Sequence, residues 1–475
     1  MKLKKNNIET KKISKLPVVF LAFFIVFICN AYSQKNTPEQ TQTEQTGQTR
    51  QTEQTGQTRQ TEQAEKIKFP KIDRYPTENT SIKYWTEKQL ALEFPSYNSQ
   101  YPFSVDLRNG DISKINLSDK LQDLLHADFD SKTKWPKKLP KKFNPNKIME
   151  IGKNPGLNVR KLHKQGITGK GVGIAIIDRD PLLVGHGEYK DRVKLYEEIN
   201  IRKDKCSDAL NHGPAVISIA AGKKTGVAPK ADLYFIAATY SKCLDKWVNC
   251  RCAKDIPSKR AYIWGDTACD ASIIAKAIDR IVEINRQLPK NKKIRVISIS
   301  KGINPNDKGT ADFLNSVQKA QEANIFVIIV SMGLYSDFEI APLGRDLLSN
   351  PNKVPSYKIG KYLEQFYFSL QVRRDSINAI LKFPMDARTT ASPTGVNDYV
   401  FYSEGGMSWV VPWVAGLYAL ACQVYPEVTP ELFFELAFKT ASTNTIKHKG
   451  KKYKLENIVN PVKLIKELKK LSRKK

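Results

Sequence analysis

Histidine is scarce in this chain, five in 475 residues, so a reaction that needs an imidazole has few places to find one. Acidic residues are also few, 48 against 77 lysines and arginines, for a net charge of +29. Such an excess suits nucleic acid, an anionic surface or acidic substrates. Yet no RNP, zinc-finger or helix-turn-helix pattern accompanies it, and aromatic residues do not interleave with the basic runs as on a base-stacking surface. No specific nucleic-acid partner is expected, and KKLPKK, KNKK and KELKKLSRKK read as solvated faces. A lipid-spanning run is missing near the start as well. LPVVFLAFFIVFIC has fourteen residues, where a membrane span needs about twenty.

What stands there instead is the layout of a secretory signal peptide over residues 1–33. Lys2, Lys4, Lys5, Lys11, Lys12 and Lys15 precede the apolar run, and Ala31-Tyr32-Ser33 offers small residues at −3 and −1. Bulky Phe27 and Ile28 argue against a lipid anchor at Cys29. The protein is therefore expected to be secreted or held in the cell envelope, with no transmembrane span in the mature chain. Cleavage after Ser33 leaves six cysteines: Cys206, Cys243, Cys250, Cys252, Cys269 and Cys422. An even count in an exported chain favours disulfides, in any of fifteen connectivities. The spacing C-x6-C-x-C-x16-C is not a zinc pattern, so residues 240–270 read as a cross-linked insertion and no metal site is expected.

Residues 34–65 repeat QTEQTGQTR with almost no apolar side chain and form a flexible spacer. Residues 66–155, rich in proline, lysine and aromatics, read as an N-terminal extension that packs on something larger. Residues 156–463 form the main domain, and 464–475 a basic tail. From Gly166 onward, apolar β-branched runs (GVGIAIID, ADLYFIAA, IRVISIS, NIFVIIV) alternate with helical segments (HGPAVISIAAG, ASIIAKAIDRIVEINRQ, TADFLNSVQKAQEA, SWVVPWVAGLYALACQVY). That alternation predicts a doubly wound, three-layer αβα domain with a mainly parallel sheet. In such sheets, sites form at the carboxyl ends of the strands.

Three residues stand at that edge. Asp178 ends the first strand, His212 opens an apolar helix, and Ser408 lies at the start of the last long core helix. Serine is a poor nucleophile until an imidazole takes its proton, and the imidazole needs a carboxylate to fix its tautomer. A serine on the first turn of a helix is exposed to an incoming carbonyl, and its own N–H can meet the developing oxyanion. Pro412, four residues on, reads as a first-turn proline whose missing N–H costs little.

The order Asp178…His212…Ser408 and the text around each resemble the subtilisin-like serine peptidases, the subtilases (peptidase family S8). KGVGIAIID looks like the family's Asp strand, and HGPAVISIAAG like its His box with Pro214 where Thr is usual. GVAPKADLYFIAA is similar to the turn and strand that follow. GMSWVVPWVAG parallels the Ser box, and alignment on Pro412, Ala415 and Gly416 selects Ser408 over Ser403. The resemblance runs over roughly residues 166–463, since NIVNPVKLIKEL resembles the closing segment. It implies that Ser300, Lys301 and Gly302 line the cleft by pairing with substrate backbone, with Lys301 able to favour acidic side chains. NIFVIIVSMG matches the strand whose following Asn normally serves the oxyanion hole. Ser331-Met332-Gly333 stands there instead, which leaves Ser331 as the candidate donor.

The resemblance implies an exported endopeptidase acting through an acyl-enzyme on protein or peptide substrates. It is expected to be a monomer with no cofactor required for catalysis; a structural calcium is not readable from the sequence. The alternative is a non-catalytic subtilase-like binding protein with a degraded oxyanion hole. A basic polyanion-binding module would rest on charge and the repeat spacer alone.

Overall fold

All four apolar runs become neighbouring strands of one parallel sheet in the computed structural model, which describes residues 66–80, 93–98, 104–201, 208–240 and 269–473. The strands in chain order begin with β1 (Lys71–Ile72), β2 (Val105–Asp106), β3 (Ala127–Asp130), β4 (Gly173–Asp178) and β5 (Val193–Ile199). β6 (Asp232–Ala238), β7 (Ile294–Ile299), β8 (Phe326–Ile329), β9 (Ile340–Arg345) and β10 (Tyr357–Ile359) follow. β11 (Leu381–Pro384), β12 (Arg388–Ala391), β13 (Tyr399–Tyr402), β14 (Ser442–His448) and β15 (Lys451–Ile458) complete the set.

The main sheet has six strands in the order β1-β5-β6-β4-β7-β8, every pairing parallel. Its centre, β4, is buried at all six positions. A strand covered on both faces has no polar side to alternate with, which is why it reads as an unbroken apolar run. Two pairs of mutually packed helices cover the sheet: His212–Ala221 against Met407–Val424, and Ala271–Gln287 against Thr310–Glu322. Helix Met407–Val424 is long and apolar enough to cross a membrane, but it lies in the core.

Strand β5 has no counterpart in the sequence reading because charge breaks its pattern. Glu197 and Glu198 sit in it almost fully covered, and are neutralised from elsewhere in the chain. Lys71 and Arg280 reach Glu197 at 2.6 and 2.8 Å, and Arg74 reaches Glu198 at 2.7 Å. The first of these partners lies on β1, so the extension supplies the sheet's edge strand. It also supplies β2 and β3 to a four-stranded sheet, β12-β13-β3-β2. A third sheet, β10-β9-β11-β15-β14, closes the carboxyl-terminal half.

Residues 464–472 are not a tail. Helix Pro461–Ser472 buries Leu464, Ile465 and Leu468 and turns its lysines outward; apolar side chains three and four residues apart share a helix face. Cys269 and Cys422 are both buried free thiols, where a cross-link at Cys269 was expected. Cys206, Cys243, Cys250 and Cys252 lie outside the described residues, as do the signal peptide, the repeat spacer and nearly all of the 240–270 insertion.

One glycine sets the distance between the helices that begin at His212 and just before Ser408. A Cβ on Gly416 would stand 2.6 Å from the Ala220 carbonyl oxygen and 2.6 Å from the Val227 Cβ. Backbone cannot retreat from such a contact without moving the helix. Gly416→Ala is therefore expected to cost about 1–3 kcal/mol by overpacking, read as a lowered midpoint in urea unfolding. Unchanged stability would mean that the two helices slide freely.

Candidate active site

Asp178 is the last residue of β4, where the sheet ends and the covering helices begin. Its Oδ2 lies 2.7 Å from Nδ1 of His212, the first residue of its helix. The carboxylate is buried, at 1% exposure, while the imidazole keeps 22%. Nδ1 is thereby occupied, and Nε2 is the nitrogen left for other work. Asp180 braces the same residue through the backbone: its Oδ2 accepts the His212 N–H at 3.1 Å, and its own N–H donates to Asp178 Oδ1 at 3.0 Å. Ring and peptide of His212 are thus held by two carboxylates.

Burial alone would lower the His212 pKa, but the Asp178 charge and hydrogen bond outweigh it, and the net shift is upward from the usual 6.5. The charged ring persists to higher pH than in a free histidine. A general base must be neutral, so any chemistry that uses it should switch on as pH rises past that raised value.

Ser408 is the second residue of helix Met407–Val424, after Gly406 at the N-cap. Pro412 is accordingly the sixth helical residue, not a first-turn one, and its missing N–H has a victim. In an α-helix the carbonyl of residue 408 would accept from residue 412. Ser300 fills the vacancy: its hydroxyl donates to the Ser408 carbonyl at 2.9 Å. The Ser408 hydroxyl donates in return to the Ser300 carbonyl at 3.3 Å, a long and weak bond. Ser408 is half-buried, and the Trp409 ring beside it lies 5.6 Å from the His212 ring. The starts of the two helices therefore face each other across the sheet's carboxyl edge.

The remaining candidates behave differently. Ser331 donates its hydroxyl to the Ile303 carbonyl at 3.0 Å and accepts the Ile303 N–H at 2.9 Å. Its proton is spent on joining two loops, so the side chain is a strut here and not a free oxyanion donor. Gly302 lies close by, a Cβ on it standing 3.9 Å from the Ser331 hydroxyl. The Lys301 carbonyl accepts from the Val330 N–H at 3.1 Å, so that part of the segment already pairs within the protein. Ser403 donates its hydroxyl to the His126 carbonyl, away from His212. Among the described residues no group of three or more His, Cys, Asp or Glu is placed to hold a metal ion.

Three residues at the site escaped the sequence reading. Asp180, two residues past Asp178, was the most legible of them, since an Asp followed by Pro marks a turn. Asp386 accepts the Gly405 N–H at 2.8 Å, and burial pushes its carboxyl up to about 8. Trp409 packs edge-on to Tyr402 at 5.1 Å, with its indole N–H buried and unpartnered. Nothing local in the sequence marks the last two.

Residues 169–353 match the family model described as the Subtilase family. The matched segment contains Asp178, His212, Ser300–Gly302 and Ser331 and ends before Ser408. No curated protein matches the sequence. Among solved structures the chain is similar to the prenylagaramide maturation protease PagA, at 15% identity over 66% of this chain and 98% of that one, with a TM-score of 0.41. It is also similar to a protease from Pseudoalteromonas arctica, at 16% identity over 66% and 94%, with a TM-score of 0.39. The subtilase resemblance rests on that match, and the described residues form an α/β arrangement around a parallel six-stranded sheet.

The bracing of Ser408 is open to a direct check. Ser300→Ala leaves the Ser408 carbonyl without either a helical or a side-chain donor. The expected cost is about 1–3 kcal/mol of stability, the penalty for an unpaired buried acceptor, measured by denaturant unfolding. A neutral substitution would show that water replaces the Ser300 hydroxyl.

Proposed function

We propose that the chain is an exported serine endopeptidase that acylates Ser408, uses His212 as general base and acid, and orients His212 through Asp178. The observation that carries this reading is the 2.7 Å bond from Asp178 Oδ2 to His212 Nδ1, at the sheet edge beside the helix that starts just before Ser408. Export rests on the basic, apolar and small-residue succession before Gln34.

In the first half-reaction Ser408 Oγ attacks the scissile carbonyl and His212 Nε2 takes its proton. The C–N bond then breaks, and the protonated imidazole passes that proton to the leaving amine. Water repeats the sequence on the acyl-enzyme and restores Ser408. The Ser408 hydroxyl gives up only a 3.3 Å bond to turn toward His212. Oxyanion stabilisation falls to the Ser408 N–H, which at the second position of a helix has no helical acceptor, together with the positive end of that helix. Loss of one side-chain donor from an oxyanion hole costs about 3–4 kcal/mol, or about a hundred- to thousandfold in rate. Turnover should accordingly be slow on generic peptides, while irreversible serine reagents acylate normally.

A second reading, a non-catalytic binding protein of the same fold, draws on one observation: the Ser331 hydroxyl is occupied by Ile303. Labelling with a fluorophosphonate separates the two. The peptidase reading expects modification at Ser408, abolished in Ser408→Ala, and an acid limb of the labelling rate with its midpoint above 6.5, the ordinary histidine value. Asp178→Asn removes the charge that raises His212, so the limb should move to lower pH while the rate falls by about 10⁴. A folded protein that takes no label at Ser408 favours the binding reading.

A further inference from the structure

The extension reaches the turn that leads to Ser408. Strand β3 pairs antiparallel with β13, Phe129 opposite Phe401 and Asp130 opposite Val400. Strand β13 runs directly into Ser403-Glu404-Gly405-Gly406, the turn before the helix of Ser408. Ser403, Glu404 and Gly405 of that turn each meet a group on another element. Asp128 Oδ1 accepts the Ser403 N–H at 2.8 Å and its hydroxyl at 3.1 Å. The His126 carbonyl accepts the same hydroxyl at 2.7 Å. Glu404 lies at 3.5 Å from His126 Nδ1 and 3.4 Å from Lys361 Nζ. One residue earlier, the Tyr402 hydroxyl accepts from Arg108 at 3.0 Å, and the Tyr402 ring carries Trp409.

A segment meant to leave should part from its partner without tearing the partner's core. This one cannot. Leu107, Phe129, Phe143 and Ile148 share one apolar cluster with Ala387 and Phe401 of the main domain. Removing residues 104–143 strips two strands from the four-stranded sheet, exposes that cluster and leaves the Ser403 N–H unpaired in the turn.

We propose that residues 104–143 remain in the mature protein as the wall that positions the Ser408 turn, with Asp128 as the positioning residue, and are not removed to release activity. The proposal rests on Ser408 as nucleophile only for its effect on rate. The chemistry of Asp128 fits it: burial, with Asp106 beside it, pushes the carboxyl well above its usual range. A carboxyl that serves as an acceptor through one oxygen has a close isostere in asparagine.

The test uses the secreted full chain. The species labelled by a fluorophosphonate is sequenced from its N-terminus and should retain residues 104–143. A labelled species that begins beyond residue 143 overturns the proposal. Asp128→Ala should label at least about tenfold more slowly than wild type while folded, and Asp128→Asn should restore the rate to within about twofold. Wild-type labelling by folded Asp128→Ala also overturns it. Should the alanine variant fail to fold, a protease site between the exposed Lys141 and Lys142 supplies a second readout. After cutting, the N-terminal piece should co-elute with the body in native buffer and separate only in denaturant; release in native buffer counts against the proposal. If wild type takes no label, the nucleophile reading has failed, and the cut-and-elute experiment still decides whether the extension is a permanent wall.

Discussion

A missing N–H organises this site. Pro412 cannot donate to the Ser408 carbonyl, so the first turn of this long core helix carries an acceptor that the helix itself cannot satisfy. A buried carbonyl in that position demands a partner. The Ser300 hydroxyl provides one at 2.9 Å and ties the end of β7 to the residue after which the helix turns inward. Because β7 lies beside β4, whose last residue is Asp178, the same bond places Ser408 on the frame that carries the carboxylate. Ser408 and Asp178 are thus located relative to one another by backbone, and the flexible parts of the side chains have little to decide.

Polar groups around this frame are supported by more partners than a surface would offer them. His212 shows the consequence. Its ring is largely covered, a setting that ordinarily disfavours the charged form, yet the adjacent Asp178 carboxylate raises the pKa all the same. The Asp180 charge adds to the same upward shift, and its carboxylate also captures the His212 N–H, one of the four that a helix start leaves unpaired. Behind Ser408 the logic repeats with Asp128 and Asp386, acids whose pKa burial raises and that act as acceptors for the turn's peptides.

The sequence carried as much of this as lies in contiguous text. Buried parallel strands are apolar throughout, so β4, β6, β7 and β8 were legible, and the boxes around Asp178, His212 and Ser408 are local patterns. What was not legible is what distant residues settle together. Strand β5 holds two glutamates that Lys71, Arg74 and Arg280, from distant segments, help to make tolerable. Ser300 and Ser408 are 108 residues apart, and neither indicates the other. Pro412 was misplaced for a smaller reason: helix starts shift by a residue or two, and one residue decides whether a proline orphans a carbonyl. The lysines of the last helix masked its apolar face, since net charge is visible at a glance and a helical stripe is not.

Ser331 stands where the resemblance leads one to expect a side-chain donor for the oxyanion. Its hydroxyl has one proton, and Ile303 takes it. An Asn side chain has two N–H bonds and a carbonyl, so it can support a loop and still present a donor; a hydroxyl at this point must choose. The loop it secures follows Gly302, two residues after the Ser300 that braces Ser408, so freeing the proton would loosen that segment. Structural demand and catalytic demand therefore compete for a single hydrogen. Under the proposed peptidase reading, with that hydrogen committed to the loop, charge developing on a bound carbonyl would meet the Ser408 N–H and the positive end of its helix in place of one aimed side chain.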